Sequence, residues 1–114
     1  MATLHPLQIV KRLEEASGYL ELGLPRIALE RLEPVRNAGQ FEAAAQFLRG
    51  HALRADEKFD QAAVSLTTAA CLLPAALQRQ VLTQACECYQ RAGLPCPIVD
   101  SDHDVAHSPP QSLN

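Results

Sequence analysis

The chain has 114 residues, a formal net charge of −3 at pH 7, 47% hydrophobic side chains and only 4% aromatic ones. That length suits one domain with a modest core. The acidic balance and dispersed basic residues argue against a nucleic-acid binder, because neutralising phosphates takes a basic surface.

No run approaches the roughly 18 consecutive apolar residues of a membrane span, so no membrane partner is expected. The start, MATLHPLQIVKR, has neither a basic head nor a long apolar run, unlike a secretory signal. A cytoplasmic chain is expected, and with it four cysteines held as thiols. Alanine and leucine dominate, tryptophan is absent and strand-formers are sparse, which predicts an all-α fold.

In chain order, the first helix is predicted over 6–22. Ile9, Val10, Leu13, Ala16 and Leu20 recur there at spacings of three and four, with charged residues between them. Gly23 offers a helix C-terminus and Pro25 a new helix start. The second helix runs from Pro25 to Glu33 or Arg36, with Pro34 threatening an early end. The third covers 40–55. A polar turn, Asp56-Glu57-Lys58, leads to a fourth over 59–73, with Cys71 on its apolar side. The fifth, 75–92, turns Leu77, Val81, Leu82, Ala85, Cys86 and Tyr89 inward. Residues 93–114 hold four of the eight prolines and an acidic, aperiodic run at Asp100–Asp104. They are read as a Pro-rich acidic tail, its distal half disordered.

The helix pairs are copies of one another. An offset of 34 residues carries Ala16 onto Gly50, Tyr19 onto Leu53, Ala28 onto Ala62, Leu32 onto Leu66 and Val35 onto Ala69. Small maps to small and large apolar to large, as close helix packing needs. A third half-copy pairs Ala16, Tyr19 and Gly23-Leu24-Pro25 with Cys86, Tyr89 and Gly93-Leu94-Pro95.

A 34-residue helix–turn–helix with small residues at its eighth and twentieth places resembles the tetratricopeptide repeat (TPR). Those places are Ala16 and Ala28, then Gly50 and Ala62, then Cys86, over residues 6–92. The resemblance implies a right-handed array of antiparallel helix pairs, two pairs plus a fifth capping helix. It also implies packing roles for Tyr19, Leu32, Leu53, Leu66 and Tyr89. The chain departs from the pattern at the fourth place, Arg12 and Gln46, and at the seventh, Glu15 and Arg49. A different helical hairpin array stays open on that ground.

What the resemblance implies about function is a protein–protein interaction module, an adaptor or scaffold. Its first helices would line a concave groove for a peptide or helix of another protein. The groove positions would be Val10, Leu13, Ser17 and Leu20, then Phe47, His51 and Arg54, with Glu87 on the fifth helix. A register slipped by one would make Val10, Leu13 and Phe47 core instead. The family's chaperone-binding lysines and asparagines are missing, so that specificity is not expected. The alternative is a homodimer burying the same apolar face.

Cys86, Cys88 and Cys96, with His103 and His107, are metal-type ligands, which keeps a thiol- or metal-dependent regulator as a further alternative. Cys86 and Cys88 lie two apart in a helix and point to different faces, so packing explains them better than a shared ion. No metal, cofactor or catalytic constellation is expected, and no phosphate-cradling glycine loop is present.

Overall fold

The computed structural model describes residues 4–96. Among them are five α-helices, one short 3₁₀ turn and no strand. The helices are α1 (Pro6–Glu21), α2 (Pro25–Leu32), α3 (Glu42–Ala55), α4 (Phe59–Cys71) and α5 (Ala75–Arg91). Each packs on the next in the chain, and α1 also meets α3.

Three connections have one hydrogen-bond pattern. Leu24 N–H donates to Tyr19 O at 2.9 Å, Lys58 N–H to Leu53 O at 2.8 Å, and Leu94 N–H to Tyr89 O at 2.8 Å. One residue earlier, Gly23, Glu57 and Gly93 donate to Leu20, Arg54 and Gln90. This is the Schellman close of a helix, which needs a left-handed residue just after the last turn. Gly23 and Gly93 take it at φ 76° and 78°. Glu57 takes it too, at φ 63°, where a side chain is strained. Glu57→Gly should therefore stabilise the fold by about 0.5–1 kcal/mol, read as a higher denaturation midpoint. Leu94, in the segment read as tail, is thus bonded to the end of α5.

α2 is cut short. It ends at Leu32 after 8 residues, whereas α4 runs for 13. Pro34 stands where α4 has Thr68, and its ring clashes with a continuing helix. The end is nevertheless satisfied. Arg49 Nη2 of α3 donates to Leu32 O at 2.9 Å and to Val35 O at 3.3 Å. Val35 still enters the core, at 1% exposure. The third helix also differs from its predicted span. Gly39–Phe41 form the 3₁₀ turn, and α3 proper starts at Glu42. Glu42 accepts from Ala38 N–H at 3.0 Å and from Gln46 Nε2 at 3.0 Å. These bonds to its ionised form hold its carboxyl below the usual range.

The interior is built from small residues between leucines. Ala16, Ala28, Leu32 and Ala52 join α1, α2 and α3, while Leu53, Ala62, Leu66, Ala85 and Cys88 join α3, α4 and α5. Ala16, Ala28, Leu32, Ala62 and Leu66 have no exposed surface, and Gly50, Leu53 and Cys86 are buried. Tyr19 and Tyr89 are half-buried, Tyr19 with Arg31 over its ring at 5.7 Å. Burying Leu32 or Leu66 is worth about 1.5–3 kcal/mol each. Two expected core residues are not there. Cys71 and Leu77 flank the α4–α5 turn and are exposed, Leu77 at 47%. The helix faces there are set by Ala70, Leu73 and Val81, which face the core and leave Cys71 and Leu77 pointing away.

Candidate partner-binding groove

The odd-numbered helices place side chains on one open face. A depression of about 480 Å³ is lined by Ser17, Leu20 and Glu21 of α1 and by Phe47, Leu48, His51, Arg54 and Ala55 of α3. A second, of about 260 Å³, is lined by Arg54, Ala55, Glu57, Phe59, Glu87, Cys88 and Arg91. Arg54 and Ala55 belong to both, so the two adjoin at α3. Helical spacing explains the set: residues 47, 51, 54 and 55 lie on one side of α3, as do 17, 20 and 21 on α1.

The floor is apolar and held. Phe47 packs on the core cluster beneath it and meets the His51 ring edge-on, with centroids 4.4 Å apart at 70°. Leu20 and Leu48 pack on the neighbouring cluster. The rim carries charge of both signs: Glu21, Arg54, Glu57, Glu87 and Arg91. Arg91 lies over the Phe59 ring at 5.3 Å. Arg54 is half-buried and makes no ion pair among the described residues.

Burial lowers the His51 pKa, the Arg54 guanidinium lowers it further, and the neighbouring Gln84 side chain opposes both. His51 is therefore neutral at pH 7. The sign for stability follows from the lowered native value. The unfolded chain binds the proton first, so stability is whole above about pH 6.5 and falls as pH drops below it. Glu42 acts in the same direction at lower pH. A proton NMR titration should place the His51 midpoint below the ordinary histidine value, and Arg54→Gln should raise it. Burial also pushes the Cys88 thiol up, against thiolate chemistry at neutral pH.

The structure thus gathers Ser17, Leu20, Phe47, His51 and Arg54 in one depression, with exposed Glu87 across Arg54 in the next. It does not bring Val10 and Leu13 there. Leu13 packs between two core clusters, and half-buried Val10 lines neither depression. Both are groove positions only by the register that the resemblance implies along α1. That register does not say where α3 crosses, and the crossing leaves only the C-terminal half of α1 beside the depression. Gln84, Glu21, Leu48 and Arg91 were not foreseen. Glu21 and Leu48 were legible in principle, one position from Leu20 and Phe47.

Cys86 and Cys88 are buried on α5, and Cys86 lies 3.9 Å from Gln90 Nε2. Cys96 is buried, while His103 and His107 lie outside the described residues. Among the described residues no three His, Cys, Asp or Glu side chains converge as a metal site. No helix among them is long and apolar enough to cross a membrane. No family model, curated protein or solved structure matches the chain.

Proposed function

We propose that this chain is a protein–protein interaction module, a short right-handed array of tetratricopeptide-like helix pairs that takes a peptide or helix on its concave face. The observation that carries this reading is the pair of adjoining depressions over α1, α3 and α5, the first with an apolar floor of Leu20, Phe47 and Leu48 and both with a charged rim. A floor of packed aliphatic and aromatic side chains suits the apolar stripe of a helix, and the rim fixes its direction. The three identical helix closes, at Tyr19, Leu53 and Tyr89, support the repeat itself.

Affinity capture from the source cell with wild type and Arg54→Glu tests it, each protein first checked by circular dichroism. Arg54 is chosen because reversing its charge alters the groove without opening the core. A partner held by wild type and lost with Arg54→Glu supports the reading. A partner held equally by both removes it.

A further inference from the structure

On the far side of α1 lies a cleft whose chemistry is different. It is lined by Leu4, Gln8, Lys11, Arg12 and Glu15 and by Arg31 of α2, and has a volume of about 240 Å³. At about 100° per residue, positions 8, 11, 12 and 15 share the face of α1 opposite 17, 20 and 21. The cleft is therefore separate from the groove.

Three cations and one carboxylate line this cleft, a local excess of positive charge in a chain of net charge −3. None of Lys11, Arg12 and Arg31 makes an ion pair among the described residues, and Glu15 accepts from none of them. Arg31 is held in place by its stacking on Tyr19. Its Nε is buried and has no hydrogen-bond partner. A buried donor without an acceptor is costly, and three uncompensated cations around one cleft repel each other. A single oxyanion in the cleft answers the second condition, while the enclosed Nε fixes the guanidinium in place beside it. It brings charge to offset the three cations and acceptor oxygens for guanidinium and ammonium donors.

We infer that the cleft between α1 and α2 is a binding site for a phosphate-type oxyanion, held by Lys11, Arg12 and Arg31. Near neutral pH such an ion carries close to two negative charges, matching the surplus in the cleft. The volume holds a phosphoryl group with room for part of what carries it. The source is either free phosphate or a phosphomonoester whose remainder lies in solvent. Glu15 sets a limit on tightness, since it faces the same space.

Calorimetric titration of the full chain with inorganic phosphate, and separately with glycerol phosphate, tests this at constant ionic strength held with chloride. Saturable one-to-one binding is expected. Arg12→Gln should weaken it about tenfold and Lys11→Gln by several-fold. Both side chains lie outside the core clusters, and circular dichroism checks that each variant folds. Arg31→Gln should weaken it too, and Arg79→Gln, exposed on α5 away from the cleft, should leave affinity unchanged. Tighter binding of free phosphate assigns the ion itself; tighter binding of glycerol phosphate assigns the ester. Absence of saturable binding by either ligand up to about 10 mM would overturn the inference. So would an affinity that Arg12→Gln leaves unchanged.

Discussion

Gly50→Ala is expected to destabilise the fold by about 1–2 kcal/mol, against the usual direction of that change in a helix. In an open helix the added methyl raises stability by about 1 kcal/mol. Here the new Cβ would lie 2.6 Å from Leu66 Cγ, 2.7 Å from Cδ2 and 3.3 Å from the Leu66 backbone nitrogen. Leu66 has no exposed surface, and its neighbours Ala62, Ala63, Ala69 and Ala70 are equally enclosed, so it has nowhere to turn. The helices must part or Leu66 must leave its rotamer. Urea denaturation followed by circular dichroism should show a lower midpoint with an unchanged slope. The decisive version is a cycle with Leu66→Ala. Once Leu66 is trimmed the two closest contacts are gone and only the 3.3 Å approach to the backbone nitrogen is left, so Gly50→Ala should turn stabilising by about 0.5 kcal/mol. A destabilising Gly50→Ala in the trimmed background would mean that Leu66 is not the obstacle.

Arg49→Met should cost about 2 kcal/mol, and the loss should appear first in α2. Arg49 is half-buried, and burial lowers its pKa, a sign that its charge is partly desolvated. That cost is offset by the bonds to Leu32 O and Val35 O, which close a helix end that Pro34 has broken. Methionine keeps most of the stem's packing and removes both bonds, leaving two carbonyls unmet beside a fully buried Leu32. Amide exchange in α2 should accelerate ahead of α4 and α5. Arg49→Lys should recover part of the loss, because both bonds come from the single nitrogen Nη2, which an ammonium replaces without the guanidinium's planar geometry. Equal losses for Met and Lys would assign the role of Arg49 to shape alone.

These two residues mark what was legible in the sequence. The helix count, the turns at Gly23 and Gly93 and the break at Pro34 follow from local chemistry, since glycine and proline restrict the backbone directly. The small residues at 16, 28, 50 and 62 follow from the 34-residue offset. Arg49 did not, because an arginine at a position expected to be apolar reads as a departure. Only the fold shows that it reaches the end of a broken helix 17 residues upstream. Glu57 carries no signal of its left-handed backbone, and only its place in the repeat marks it. Cys71 and Leu77 were misplaced because helical spacing gives a stripe, not its edges. At the α4–α5 turn both residues fall just outside that stripe.

The groove was legible where two helices contribute at matched positions and illegible where one helix was read alone. Leu20, Phe47, His51 and Arg54 meet because the spacing within α1 and within α3 survives the packing. Val10 and Leu13 failed the same test because the crossing of α1 and α3 is a property of the assembled pair. The pairing of His51 with Gln84 is tertiary too. No periodicity in either helix encodes it.

The proposed binding face is the one made by α1, α3 and α5. Site-specific photocrosslinking in the source cell tests it most directly, with a benzophenone side chain placed at position 54 in one protein and at position 64 in another. Arg54 stands at the junction of the two depressions, and Val64 is exposed on α4, at 59%. The predicted result is a discrete adduct from position 54 and none from position 64. An adduct from position 64 with none from position 54 would contradict the assignment of the binding face.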